Sequence, residues 1–541
     1  LNMKTLAQDG RWNAAWRAQA LPELAATDWD LIVVGGGISG AGILREAARC
    51  GWKCLLIEQR DFAWGTSSRS SKMVHGGLRY IAKGQLALTR DSVRERQRLL
   101  TEAAGLVEPL SFIFPHYRGG FPGPKVFGGV LALYDALAGK RNHLYYPLQQ
   151  LRYLLPGLRD EGLLGATQFF DAVTDDARLV LRVLGEARGD GGVAVNGLRV
   201  VELLRENDAV VGVRVEDTET GQQLSLHSRA VAQATGAWAD ELRRKTGLEH
   251  IRPLRGSHLL LPAWRLPLAH ALSFMHGADG RPVFVFPWEG ATVIGTTDLD
   301  HVDGLNTDAC ISAAEVEYLL AACAQQFAAA QITRVDVLSS WAGVRPVVTD
   351  GQPSSAGTKP SDEKREHALW IEPGCVTLAG GKLTTFRLLA LEVLQACAAF
   401  VGQPVTDVGS AVFRPQPELL LAGLSNSQQR RLAGRYGREL PKVAQSVAEV
   451  GTEVVGATET LWAELAFAAE HELVLHLDDL LLRRTRLGLL LAGGALAELP
   501  RIRSLCQPRL GWDDARWMRE QQDYLNLWQR CYSLPVAPAN Q

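Results

Sequence analysis

No stretch of the 541-residue chain reaches the eighteen or so uninterrupted apolar residues that a spanning helix needs, so any membrane contact is expected on a surface. Residues 1–29 also lack the apolar run of a secretory leader. A dominant charge is missing: 57 Lys and Arg face 59 Asp and Glu, leaving −2, and no global field invites nucleic acid. The eight cysteines, at 50, 54, 310, 323, 375, 397, 506 and 531, are scattered, and Cys50-x3-Cys54 has no second pair at metal-ligand spacing. Buried free thiols in a reducing compartment are therefore expected. No tandem repeat or low-complexity tract stands out. What remains, 47% apolar and 21% charged residues, is the makeup of a globular protein with a large core. The length allows about two to four domains.

The stretch that organises the rest is residues 30–42. A short apolar run, 31–34, reads as a strand buried on both faces and passes into Gly35-x-Gly37-x-x-Gly40, then a helix to about residue 49. Gly35 permits the tight turn, Gly37 lets the backbone approach a pyrophosphate, and Gly40 lets helix pack on strand. The helix N-terminus offers N–H groups and a positive dipole end to phosphate. A second strand, 53–57, ends in Glu58, eighteen residues past Gly40, where an acid accepts ribose hydroxyls. The whole predicts a dinucleotide site. The pattern does not choose between FAD and NAD, and Glu58 argues only against a 2′-phosphate.

Next comes a loop of hydroxyl residues and glycines, 66–80, too polar for a core and suited to wrapping a cofactor; His75-Gly76-Gly77 permits close approach to a flat ring. Residues 85–103 read as a charged amphipathic helix. Residues 111–140 turn aromatic and Gly-rich, with Arg118, Lys125, Lys140 and Arg141 alongside. That is the pattern of an interfacial segment, or of a lid packed on the protein's own core. A helix capped by Thr174 or Asp175 precedes strands at 192–194, 198–205, 210–217, 223–228 and 230–234, with turn chemistry at Asn207-Asp208. Residues 253–348 are strand-rich apart from a helix at about 313–329, which predicts an antiparallel sheet. Residues 376–386 read as strand, glycine turn and helix start. Beyond about 410 the strand signals cease, and helices are expected at 418–436, 440–450, 458–472, 477–491 and 512–532. Asp478-Asp479 with Arg483, Arg484 and Arg486 reads as a salt-bridged helix face, or as an interaction surface.

The assembled motifs resemble the FAD-dependent, quinone-linked glycerol-3-phosphate dehydrogenases. The runs that carry the resemblance are Gly35-Gly-Gly-Ile-Ser-Gly-Ala-Gly42, Thr66-Ser-Ser-Arg-Ser-Ser-Lys72, His75-Gly-Gly-Leu-Arg-Tyr80, Asp175-Asp-Ala-Arg-Leu179 and Ala234-Thr-Gly-Ala-Trp238. Further along stand Gly256-Ser-His258, Ile294-Gly-Thr-Thr-Asp298, Gly343-Val-Arg-Pro346, Gly380-Gly-Lys-Leu-Thr-Thr385 and Asp478-Asp-Leu-Leu-Leu-Arg-Arg-Thr-Arg486. The resemblance implies an α/β fold: a glutathione-reductase-type, Rossmann-like FAD-binding domain, an antiparallel β-rich substrate domain and a C-terminal α-helical cap. The expected division is an N-terminal extension at 1–29, FAD segments at 30–84, 165–250 and 346–410, substrate segments at 85–164 and 251–345, and helices at 411–541. It implies oxidation of sn-glycerol 3-phosphate to dihydroxyacetone phosphate by hydride transfer from C2 to FAD N5. Electrons then pass to ubiquinone at the cytoplasmic face of the inner membrane, with 112–141 as the contact and a homodimer as a further expectation. The alternative is an oxidase of the same fold that hands electrons to oxygen. FAD contacts are implied for Gly35, Gly37, Ile38, Ser39, Gly40, Glu58, Gln59, Thr66, Ser67, Ser68, Ser71, Lys72, His75, Gly77, Val200, Thr235, Gly236, Asp298, Gly381, Leu383 and Thr384. No metal is implied.

The substrate is a dianion with one reactive C–H, so cationic donors must gather at one end of the pocket. Arg345, before a proline at a strand end, and Lys382, between a glycine pair and a helix start, are unusual places for charge in a packed sheet protein. Arg79, Tyr80 and Arg365 join them on the strength of the resemblance, completing a phosphate clamp. The hydroxyl proton needs an acceptor, and His258 and His75 are the candidates, because histidine titrates near neutrality. Lys382 also favours negative charge developing in the site.

Overall fold

The structure is a computed structural model and describes residues 11–82, 84–139, 141–243, 250–349 and 367–536. Two sheets organise it. The first runs in the order His367–Glu372, Cys375–Gly380, Gln223–Gln233, Asp28–Val34, Cys54–Ile57, Val193–Val195; its five inner and last strands are parallel. The run 31–34 is buried on every residue but the last few atoms of Val34, as a parallel strand covered on both faces must be. Helices Ile38–Arg49, Asp176–Gly189 and Phe386–Val401 cover one face. The strands Leu198–Glu206 and Ala209–Asp217 form a hairpin whose tip residues, Asn207 and Asp208, both take positive φ (46° and 68°), the turn their side chains tolerate best. The two strands expected at 223–228 and 230–234 are one continuous strand, Gln223–Gln233.

The second sheet follows the order Leu299–Asp300, Ile251–Pro262, Ala291–Gly295, Pro282–Trp288, Ala271–Met275, Val107–Tyr117, Leu163–Thr174, Met73–Val74, with Ser339–Val348 also paired to Ile251–Pro262. It is antiparallel except where Ala271–Met275 runs parallel to Val107–Tyr117. One face packs on the helix Ala313–Gln326, the other on the C-terminal helices through Trp288 and Trp341. Strand Leu163–Thr174 belongs to this sheet, although the division drawn from sequence put most of it with the FAD segments.

Three further expectations change. Residues 112–117 are a core strand with Phe112 and Phe114 buried, so only the turn at 118–123 and the outer side of helix Pro124–Ala138 remain as a surface; there Phe121 is 81% exposed. Among the described residues no helix is long and apolar enough to cross a membrane. Cys310 and Cys531 are joined as a disulfide, so the cysteines are not all free thiols.

The third change concerns the acidic and basic run near residue 480. It does not face solvent. Residues Asp479–Arg484 form a wide helical turn that buries Arg483, Arg484 and Arg486 against the nucleotide-binding layer. Arg484 grips Asp61 at 2.6 and 2.7 Å, Arg483 bonds the same carboxylate, and Arg486 reaches Asp175 at 2.9 Å and also Asp176. Arg435 adds a second guanidinium to Asp175 at 2.8 Å. Asp175 is also the N-cap of helix Asp176–Gly189, accepting the Arg178 N–H, which settles the choice between Thr174 and Asp175. Burial works against ionised Asp61 and Asp175, but the paired guanidinium groups outweigh it and hold both carboxyls well below the ordinary range. This ionic seam fixes the loop 66–72 from beneath, since Lys72, fully buried, bonds Asp176 at 2.9 Å and the Ser68 carbonyl at 2.8 Å.

Candidate flavin and substrate site

The glycine turn is built as its sequence dictates. Gly35 has φ +112°, and a Cβ there would stand 2.5 Å from the Ala234 carbonyl oxygen. At Gly40 a Cβ would lie 1.8 Å from the Gly35 oxygen, so only glycine lets the helix start against the strand. Gly37 caps Ile38–Arg49 with no side chain, and the Ile38 N–H is taken by Ser67 Oγ at 3.0 Å. Glu58 stands at the strand end, accepting N–H bonds from Gly36 (2.6 Å) and Arg60 (2.9 Å). Burial raises its pKa, and those two bonds work in the opposite direction. Gln59 follows it, half-buried, and Val200 lies on the strand that starts beside Glu58, where the Leu198 N–H meets the Glu58 carbonyl at 2.8 Å. Thr235 and Gly236 close the turn from the other side, and Trp238 comes within 5.7 Å of Trp64 above Gly65.

Farther along, the loop meets two other clusters. His75, Tyr80 and Lys382 form the first: the Lys382 ammonium sits 3.6 Å from the centre of the Tyr80 ring, and the His75 ring lies 6.5 Å from it. Gly77, at φ +78°, makes room for that ring, since a Cβ would come within 2.1 Å of it. Gly381 (φ +102°) and Thr384, whose hydroxyl bonds the His75 carbonyl at 3.2 Å, bring the turn at 380–385 to the same place, beside Leu383 and within reach of Ser39.

The second cluster lies on one face of two paired strands. His258 is opposite Trp341 in register, and alternation puts Gly343 and Arg345 on the same face. Gly343 is pressed against Arg69, where a Cβ would be 2.4 Å from the carbonyl oxygen, and Thr66 bonds the Val344 carbonyl. Arg345 is half-exposed and held at 3.1 Å by Asp298. His258 is 2% exposed, and its Nε2 bonds Ser71 Oγ at 2.9 Å. Burial first, and the nearby Lys72 charge second, push its pKa down to about 3, so the near-neutral titration expected from the sequence does not hold and the ring is neutral at physiological pH. Lys72 itself is lowered to about 8 by burial, with Asp176 offsetting part of that, and its ammonium faces the ionic seam. Ser68 contributes its carbonyl to the same seam. Arg365 lies outside the described residues, and of Arg79 only its place in the helix Leu78–Ala82 is described. Sequence reasoning missed Trp341, Trp64 and Trp238; Trp341 is found only through the cross-strand register, which no local pattern displays.

These residues fit a flavin dinucleotide. A Cβ at Gly35 or Gly40 would strike backbone in the turn, and three buried polar atoms of these residues have no hydrogen-bond partner among the described residues: Thr235 Oγ1, Trp238 Nε1 and His258 Nδ1. Residues 30–387 match the family profile described as FAD dependent oxidoreductase. Fold and cradle thus define a FAD-dependent oxidoreductase of mixed α/β class. Residues 376–517 match a second profile, the C-terminal domain of alpha-glycerophosphate oxidase. The glycerol-3-phosphate dehydrogenase 2 of Mycobacterium tuberculosis is 33% identical over 537 residues, covering 94% of this chain and 90% of its own. The aerobic glycerol-3-phosphate dehydrogenase of Bacillus subtilis is 31% identical over 504 residues, covering 87% and 89%. The structure of the glycerol-3-phosphate dehydrogenase from Bacillus halodurans complexed with FAD matches with a TM-score of 0.77 at 26% identity, over 98% of this chain and all of that one. The chain belongs to the FAD-dependent glycerol-3-phosphate dehydrogenase family.

Proposed function

We propose that the chain oxidises sn-glycerol 3-phosphate to dihydroxyacetone phosphate and delivers the electrons to a membrane quinone. The observation that carries the reading is a neutral, buried His258 with one bare ring nitrogen, on the same sheet face as the half-exposed Arg345. Bound FAD supplies the acceptor for the carbinol hydrogen at C2. The protein does the rest. Gly35, Gly37, Gly40, Glu58, Ser67 and Thr235 would hold the dinucleotide, and the 66–77 loop and the turn at 380–385 would complete its cradle. Arg345 and Lys382 bind the phosphate, and Tyr80, under the Lys382 ammonium, fixes where that charge stands. His258 Nδ1 takes the hydroxyl proton, and burial of the ring excludes water as a competing acceptor.

Anaerobic addition of sn-glycerol 3-phosphate to the flavin-loaded protein tests this: the yellow absorbance should fade within turnover time. Lys382→Met should slow the fading strongly with flavin still bound. Arg345→Ala should raise the substrate requirement more for glycerol 3-phosphate than for glycerol; equal effects would remove the phosphate role. The C-terminal profile named for an oxidase favours a second reading, oxygen as acceptor, and peroxide produced faster than a quinone is reduced would establish it.

Peripheral contact with the cytoplasmic face of the inner membrane belongs to the same proposal. Phe121 (81% exposed), Val126 (54%) and Leu133 (40%) stand out from the turn and helix beside Arg118 and Lys125. Phe121→Glu with Val126→Glu should weaken retention on anionic vesicles several-fold while turnover with a soluble dye persists.

A further inference from the structure

The imidazole of His258 is held on three sides. Its ring stacks on Trp341 at 4.8 Å and 10°. On the neighbouring strand its register partner is Gly295, where a Cβ would stand 2.1 Å from the ring, so only glycine leaves the ring its place. At the edge, Nε2 meets Ser71 Oγ at 2.9 Å. Trp341 is fixed in turn: its Nε1–H donates to the Ser70 carbonyl at 3.2 Å, and the Lys72 ammonium lies 4.7 Å from its ring. The Ser70 backbone is itself anchored, because Ser70 gives Asp176 both its N–H (3.0 Å) and its hydroxyl (2.6 Å).

We infer that Ser71 and Trp341 are positioning residues that hold His258 in one orientation and one tautomer, with the proton on Nε2 and the lone pair of Nδ1 presented to the ligand. The inference rests on the proposed role of His258 as proton acceptor. Only two neutral tautomers exist. If Ser71 donated to Nε2, Nδ1 would carry a buried N–H with no acceptor among the described residues, and an orphaned buried N–H is the rarer and costlier defect. If Nε2 donates to Ser71 Oγ, Nδ1 is a bare lone pair, which is what a ligand hydroxyl about to lose its proton requires. In a neutral ring the tautomer decides which nitrogen offers its lone pair to the ligand. Trp341 sets the plane in which that lone pair points.

The test uses the full-length protein labelled with [15N]histidine, with and without flavin. The His258 ring signals are those lost in His258→Asn. Wild type should show the Nε2–H tautomer; Ser71→Ala should show a mixture or the Nδ1–H form, and Ser71→Thr, which keeps the hydroxyl, should restore the first. Flavin reduction per bound flavin should fall roughly tenfold or more in Ser71→Ala and begin to rise with pH as solvent takes over the proton, with recovery in Ser71→Thr. Trp341→Phe, which keeps the stack and loses the N–H bond, should lie between. A wild-type ring spectrum and rate in Ser71→Ala would overturn the inference, as would a loss that Ser71→Thr does not restore. If the tautomer shifts as expected but His258→Asn reduces flavin at the wild-type rate, the tautomer lock stands and the proton-acceptor role falls.

Discussion

Two polar neighbourhoods lie close together in this molecule and are built in opposite ways. Along the ionic seam each buried carboxylate is shared: Asp61 by Arg483 and Arg484, Asp175 by Arg435 and Arg486, Asp176 by Lys72 and Arg486. Beside the glycine turn and on the His258 face, buried polar atoms are left with no partner among the described residues. A buried polar atom is costly unless bonded. Along the seam every carboxylate meets two cations, although Arg435 keeps one unbonded nitrogen; at the site the unbonded atoms of Thr235, Trp238 and His258 belong to neutral side chains that a ligand can complete.

The comparison breaks most readily at the seam. Asp61→Ala leaves the buried Arg484 guanidinium without a carboxylate, while Arg483 keeps Asp478 and Asp479, and should lower stability by about 3–5 kcal/mol, read from the urea unfolding midpoint. A midpoint equal to wild type would mean that the seam contributes no cohesion. On the other side, Gly40→Ala puts a methyl into the Gly35 carbonyl and should strip most of the flavin while circular dichroism persists. Full yellow colour in that variant would show that the cradle tolerates what its geometry forbids.

Acid separates the two regions more gently. The folded pKa values of Asp61 and Asp175 are depressed, so their contribution is present above the unfolded value of about 3.9 and is lost as pH falls below it. Thermal midpoints of wild type should drop steeply below about pH 4, and Asp61→Asn should flatten that limb; parallel curves would contradict the assignment. The smallest effect belongs to His476, which links Glu219 to Glu520 at 3.1 Å each. Burial disfavours its charge, but the two carboxylates outweigh this and raise its pKa to about 11. Its contribution is complete below the unfolded value of about 6.5 and disappears as pH rises toward 11. His476→Gln should therefore show its deficit at neutral pH and converge with wild type in alkali.

Much of the nucleotide layer was legible in the sequence, because each part of it is local: an apolar run, three glycines at fixed spacing, an acid at the next strand end. Lys382 and Tyr80 were legible as members of motifs, but their contact was not, since more than three hundred residues separate them. The seam was legible only in part. Acids and arginines three to five residues apart read as a salt-bridged helix face, and Arg483 does pair with Asp478 and Asp479, but the wide turn at Asp479–Arg484 and the acids on another layer, which bury the run, have no local signature. The part of strand Val107–Tyr117 from residue 111 onward left two readings open, an interfacial segment or a lid on the core, because its aromatic residues suit lipid and core alike. The helix Leu499–Leu510 escaped notice because Pro500, Pro508 and three arginines hide its apolar stripe of Leu499, Ile502, Cys506 and Leu510.

That seam also governs how the gene can be cut. A fragment ending near residue 400 would keep Asp61, Asp175 and Asp176 but forfeit the arginines at 435, 483, 484 and 486, exposing a patch of like charge where the helices had been. Chimaeras between relatives would have to carry both halves of this acid–guanidine code from one parent.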